Sequence, residues 1–199
     1  NRGNGVFINL GSSTVAGNFI GVGADGHTPI KNGTGIYLAG SGNTIGGTDV
    51  GARNIISGND NEGIAAHGSN QVIQSNYIGT DATGTMDVGN ANLDGTSAGI
   101  TISGGAPTNN ILVGGSSAAA GNIISGNGNA GAVNFGYGIH ITNTGSNIVI
   151  QGNYIGTTAN GTDPIRNHLS GINIPNGPVA SKITIGGENP GEGNIIAFN

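Results

Sequence analysis

Ten acidic residues and four histidines are the side chains of this 199-residue chain best suited to move protons or hold a metal. Asp81 and Asp87 share one loop, and Asp60 and Glu62 share one corner. Paired carboxylates within reach of one substrate are what general acid–base hydrolysis requires, and a carboxylate pair is also the start of a calcium site. Neither pair returns at matching positions elsewhere in the chain. His27, His67, His140 and His168 lie far apart, without the spacing of a zinc set. The repeated calcium-binding pattern Gly-Gly-x-Gly-x-Asp is missing, and there is no cysteine to supply a thiolate or a disulfide. The sequence therefore offers no catalytic residue, no cofactor and no metal site beyond a weak candidate at Asp81 and Asp87.

Charge narrows the partners. Five basic residues give no stripe with which to neutralise phosphates, and the formal charge is −5, so nucleic acid is not expected. No run of about 18 apolar residues is present, and no membrane insertion is expected. Glycine is abundant, at 42 residues, yet it follows no Gly-X-Y period, and isoleucine and valine recur at regular places. That regularity argues against both collagen and a disordered linker.

The regularity is a repeat. Asn54-Ile55-Ile56-Ser57-Gly58-Asn59 returns as Asn122-Ile123-Ile124-Ser125-Gly126-Asn127 and as Asn194-Ile195-Ile196-Ala197-Phe198-Asn199. Between these copies stand Asn18-Phe19-Ile20-Gly21, Asn76-Tyr77-Ile78-Gly79 and Asn153-Tyr154-Ile155-Gly156. Units start near residues 5, 35, 63, 99, 138 and 171, each at a glycine before an apolar-x-apolar triplet. The triplets alternate with period two. They predict one inward column of Val6, Ile36, Ile64, Ile100, Ile139 and Ile172, and another of Ile8, Leu38, Ala66, Ile102, Ile141 and Ile174. A second station ends on Val15, Ile45, Ile73, Val113, Ile150 and Ile185, and the asparagine motif is the third. Three strands this short cannot stand alone, so each must stack on its equivalent in the next unit. The prediction is an all-β fold, a single domain over 1–199, with six coils of three short strands.

Corner lengths divide the coils into two kinds. The offset is three positions from Val15 to Asn18, from Ile73 to Asn76 and from Ile150 to Asn153, but nine from Ile45 to Asn54, from Val113 to Asn122 and from Ile185 to Asn194. Short-corner coils carry a longer excursion after the third strand, such as Thr80-Asp81-Ala82-Thr83-Gly84-Thr85. The period is thus a pair of alternating coil types. Asn1 and Asn199 fall at one phase of it, as do Asn59 and Asn127.

Repeats of the form Asn-x-Ile-Gly-Gly, Arg-Asn-Ile-Ile-Ser-Gly-Asn and Gly-Asn-Tyr-Ile-Gly-Thr resemble those of right-handed parallel β-helix proteins of pectin-lyase-like fold, in particular bacterial and archaeal surface-protein arrays. The resemblance spans essentially the whole chain. It implies right-handed winding, in agreement with the crossover rule for parallel strands. It does not choose an activity, because that fold hosts lyases, hydrolases, adhesins and structural proteins. The enzymes among them place acidic clusters on adjacent coils, whereas here every charged residue falls in a corner or loop.

Asn18, Asn54, Asn76, Asn122, Asn153 and Asn194 stand at the corner before the third strand, where each amide can donate to the next coil's carbonyl oxygen as a structural ladder. Phe19, Ile55, Tyr77, Ile123, Tyr154 and Ile195 should point outward by strict alternation, as a surface stripe large enough for an interface. A cover by the excursions beginning beside them is preferred. On the first strand Phe7, Tyr37, Ala65, Thr101, His140 and Asn173 form a mixed outer column that can stack on sugar but reads as solvated surface. Flat threonine ranks of an ice-binding kind are missing. Asn32-Gly33-Thr34 and Asn160-Gly161-Thr162 match the glycosylation sequon by chance in so asparagine-rich a chain.

The expectation is a non-catalytic structural or adhesive element, extracellular or at the cell surface. It would associate with itself through the solenoid ends into filaments, or form a segment of a longer surface protein. The alternative is a polysaccharide-binding or polysaccharide-degrading module, either lyase or hydrolase.

Overall fold

The computed structural model describes residues 3–49, 51–90, 98–103, 109–128, 136–142, 146–175 and 182–199. Among them there is no helix, and eighteen strands form three parallel sheets of six. The first sheet holds β1 (Val6–Ile8), β4 (Ile36–Leu38), β7 (Ile64–Ala66), β10 (Ala98–Ile102), β13 (Tyr137–Ile141) and β16 (Ile172–Asn173). The second holds β2 (Thr14–Val15), β5 (Thr44–Gly46), β8 (Val72–Gln74), β11 (Ile111–Gly114), β14 (Ile148–Gln151) and β17 (Ile183–Ile185). The third holds β3 (Phe19–Ile20), β6 (Ile55–Ile56), β9 (Tyr77–Ile78), β12 (Ile123–Ile124), β15 (Tyr154–Ile155) and β18 (Ile195–Ile196). Each coil gives one strand to each sheet, and every strand pairs with its equivalents one coil away. This is a parallel β-solenoid of six coils, consistent with right-handed winding.

The pairing register carries like onto like. Val6 faces Ile36, Ile36 faces Ile64, Ile64 faces Ile100, and Ile100 faces Ile139. Inside, these isoleucines meet Ile45, Ile73, Val113 and Ile150 of the second sheet and Ile56, Ile78, Ile124 and Ile155 of the third, all removed from solvent. Branched aliphatic side chains suit a pleated surface buried on one face. The second inward column stops short of its predicted end. β16 ends at Asn173, and Ile174 is 38% exposed, because the sixth coil has a stacked neighbour on one side only.

Alternation between coil types has a steric and hydrogen-bonding cause. Directly after the third strand, the even coils carry Ser57, Ser125 and, in the sixth coil, Ala197, where odd coils carry Gly21, Gly79 and Gly156. Ser57 Oγ donates to Thr80 O at 2.7 Å and accepts from Gly79 N at 2.9 Å. Ser125 Oγ donates to Thr157 O at 2.8 Å and accepts from Gly156 N at 3.0 Å. Gly79 turns the chain at φ +94°, and a Cβ there would lie 2.1 Å from Ser125 O. One coil needs the hydroxyl, and the next needs the absence of a side chain.

Two substitutions test this account. Ile73→Ala opens a cavity in the centre of the core and should cost about 2–5 kcal/mol. Ser125→Ala strands the buried Thr157 carbonyl, while Gly156 N keeps its longer bond to Ile124 O, and should cost about 1–3 kcal/mol. Urea unfolding measures both, and an unchanged midpoint in Ser125→Ala would remove the hydroxyl bridge as the cause of alternation.

Candidate functional surface

The corner asparagines form a continuous ladder along the axis. Asn18 Nδ2 donates to Asn54 Oδ1 at 3.0 Å, Asn54 to Asn76 at 2.8 Å, Asn76 to Asn122 at 3.1 Å, Asn122 to Asn153 at 2.9 Å and Asn153 to Asn194 at 2.9 Å. The second amide proton of Asn54, Asn76, Asn122, Asn153 and Asn194 goes back to a carbonyl of the preceding coil, for example Asn122 Nδ2 to Ile73 O at 2.8 Å. Each receiving Oδ1 also takes the backbone N–H of the asparagine before it, as Asn122 Oδ1 does from Asn76 N at 2.9 Å. Interior rungs are therefore fully satisfied while removed from water, which is the condition for burying an amide without penalty.

A second ladder runs along the opposite corner, and the sequence reading did not find it. Asn32 Nδ2 donates to Asn59 Oδ1 at 3.0 Å, Asn59 to Asn90 at 2.9 Å, Asn90 to Asn127 at 2.9 Å, Asn127 to Asn167 at 2.9 Å and Asn167 to Asn199 at 2.8 Å. The signal was available. Counted from the third strand's inward isoleucine, these asparagines follow at 12 and 3 residues in strict alternation, Ile20 to Asn32 and Ile56 to Asn59 being the first pair. Asn32 is thus a structural rung, and the Thr34 of its sequon is buried.

The stripe beside the third strand is not an open surface. Ile55, Tyr77 and Ile123 are 4%, 8% and 3% exposed. The odd-coil excursions double back over them through antiparallel bridges between Val22 and Pro29, Thr80 and Asp87, and Thr157 and Pro164. Their tips stack in turn, Ala82 N donating to Gly26 O at 3.0 Å and Ala159 N to Gly84 O at 2.9 Å. Val22, Ala82, Val88 and Ala159 close the packing around the stripe. Tyr154 is half-buried, and only Phe19 and Ile195, on the end coils, remain open to solvent.

Asp81 and Asp25 are occupied within their own loops, and Asp60 and Glu62 by the coil beside them. Asp81 accepts from Thr83 Oγ1 at 2.5 Å and from the Thr85 and Met86 N–H groups at 2.9 Å. Burial would raise its pKa, but these hydrogen bonds prevail and hold it below the ordinary value. Asp87 goes the other way, pushed up by desolvation against the pull of His168 and the Gly89 N–H. Among the described residues, no three of His, Asp and Glu come together as a metal would need. Asp60 pairs with Lys31 Nζ at 3.0 Å, and Glu62 accepts from Thr34 Oγ1 at 3.1 Å. Asp25, whose carboxylate takes the Thr28 hydroxyl and the Thr28 and His27 N–H groups, is held at about 2. Asp94 lies outside the described residues.

What remains is the outer face of the first sheet. Phe7 packs on Tyr37 with ring centres 5.6 Å apart, and Tyr37 stacks on His67 at 4.7 Å. Two coils on, Tyr137 stacks on His140 at 4.9 Å, and Asn173 Nδ2 meets His140 Nδ1 at 2.9 Å. Between the two ring stacks, Thr101 Oγ1 is buried and has no hydrogen-bond partner among the described residues. This face bears no charged residue, but it offers flat rings and a line of polar groups. Compared with protein families, with curated proteins and with solved structures, the chain matches none.

Desolvation lowers the pKa of both His67 and His140 from the usual 6.5. Below that value the unfolded chain binds more protons than the folded one. The stability these rings support is therefore complete above 6.5 and is lost as pH falls through their depressed folded values. Denaturation midpoints should fall between about pH 7 and about pH 5, and His67→Gln with His140→Gln should flatten that slope. An unchanged slope in the double variant would place the acid sensitivity elsewhere.

Proposed function

We propose that the chain is a non-catalytic structural rod of the extracellular or cell-surface kind, a surface-repeat solenoid of pectin-lyase-like type. The observation that carries this reading is the pair of unbroken amide ladders. They tie all six coils along one axis at two corners, and they are polar. Donors point toward the sixth coil, while no described residue donates to Asn18 Oδ1 at the first, and Asn194 spends only one amide proton, on Ile150 O. A coil stacked on either end would continue the ladder in the same sense. Such head-to-tail stacking is heterologous and open-ended, and it builds rods when nothing closes it. The stacked coils belong to the same polypeptide or to a second copy, and both extend the rod.

Light scattering and electron microscopy of the chain across a concentration series test the stacking. Linear multimers that grow with concentration, and that Asn194→Leu suppresses, are the expected result. A monodisperse monomer at the highest concentration with no fibres in the microscope would sink self-association.

A second reading rests on the ring stacks of the first sheet's outer face. Rings separated along a rigid sheet suit the apolar faces of sugar residues in a polysaccharide, with Asn173 as a hydrogen-bonding neighbour. Affinity electrophoresis on a polysaccharide panel should then show retardation that Tyr37→Ala and Tyr137→Ala abolish. Release of new reducing or unsaturated ends in the same gels would point instead to a lyase or hydrolase.

A further inference from the structure

The coil pairs present one cleft twice, once filled and once open. Each cleft lies over the short corner of an odd coil, between the long corners of the even coils on either side. Their frames match: Ser75 N donates to Ala120 O at 2.9 Å in the first, and Gly152 N donates to Glu192 O at 3.1 Å in the second. Arg53 fills the first cleft. Its Nε donates to Ser75 O at 3.1 Å, and its guanidinium carbon stands 4.0 Å from the centre of the Tyr77 ring.

The second cleft keeps the ring and the carbonyl but lacks the cation. The pairings Ile55 with Tyr77 and Ile123 with Tyr154 put Tyr154 in the place of Tyr77, Gly152 in that of Ser75 and Gly121 in that of Arg53. No described residue donates to the Gly152 carbonyl. A Cβ on Gly121 would lie 2.2 Å from it, so this coil cannot supply a side chain of its own at that place, and a guanidinium has to come from elsewhere. What is left is a cleft of about 420 Å³ bordered by Ser116, Ser117, Pro190, Gly193 and Tyr154. The corner that supplies Pro190 and Gly193 also carries Glu188 and Glu192, in a chain of formal charge −5.

We infer that this open cleft binds a guanidinium, the side chain of an arginine on another polypeptide, stacked on Tyr154 and donating to the Gly152 carbonyl. A planar guanidinium is weakly hydrated and joins ring stacking to in-plane donation, which a lysine ammonium does not. The chain itself supplies the precedent, since the same frame one repeat earlier holds that group in that way.

N-acetyl-arginine amide, titrated into the intact chain and followed through the tyrosine ring protons by NMR, tests the assignment. Saturable shifts at Tyr154 are expected, with the neutral isostere N-acetyl-citrulline amide binding at least about tenfold more weakly. Tyr154→Phe should keep the response, read through the ring protons of the substituted side chain. Gly193→Leu should remove it without disturbing the fold, because a Cβ on Gly193 meets no atom within 4 Å. Arg53→Ala should open the first cleft and add a second set of shifts at Tyr77. Equal binding of the citrulline compound, shifts confined to Tyr37 and Tyr137, or full binding by Gly193→Leu would each overturn the inference.

Discussion

The amide–amide hydrogen bond between one coil's corner asparagine and the next is the interaction on which the rest of this structure depends. Hydrophobic contact alone is indifferent to small slips, because one isoleucine column packs on another at many offsets. An asparagine is not indifferent. Asn76, Asn122 and Asn153 each need two acceptors and supply an oxygen that takes two donors, and all four partners are satisfied only when the coils stand in one register. A buried amide left with a missing partner is costly, so the ladder penalises misalignment more sharply than the core rewards alignment. Two such ladders at different corners fix rotation as well as translation.

With register set at the corners, everything between them is free to vary in length, and the chain uses that freedom in pairs. Odd coils spend it on excursions that fold back over Ile55, Tyr77 and Ile123. Even coils spend it on the long corner after the second strand. The two habits meet after the third strand, where a Cβ on the odd-coil glycine would fall on the backbone carbonyl of the even coil that follows it, and the even-coil serine hydroxyl bridges to the odd coil on its other side. A solenoid of identical coils would lose this interlock.

Most of the fold was legible because a strand's side chains alternate with period two, and a stack of identical strands repeats that alternation as columns. Ile36, Ile64, Ile100 and Ile139 are read as one column from the glycine before each, and the pairing places them so. The first ladder was legible for a related reason, since its asparagines sit directly against the apolar pair of the third strand. The second is hidden in the sequence because Asn32, Asn90 and Asn167 are separated from that strand by a whole excursion. Their partners Asn59, Asn127 and Asn199 follow it almost at once. The outward stripe shows a different limit. Alternation gives the direction of a side chain, but it does not say what lies above it, and here the excursions cover Tyr77 with loops that carry no strong pattern of their own.

The division of labour between corners and faces also decides where chemistry can sit. Inward columns are closed to it, because a charge there would have to be buried without a partner, and no Asp, Glu, Lys or Arg lies in any of the eighteen strands. The third sheet is closed over its central coils by its excursions. That leaves the outer faces of the first and second sheets and the clefts between long corners, where residues other than the asparagine rungs can vary. A residue such as Arg53 can therefore be present in one repeat and replaced by glycine in the next without cost to the register. Any binding function of this solenoid is consequently a property of individual coils set on an indifferent frame, and its repeats need not all do the same thing.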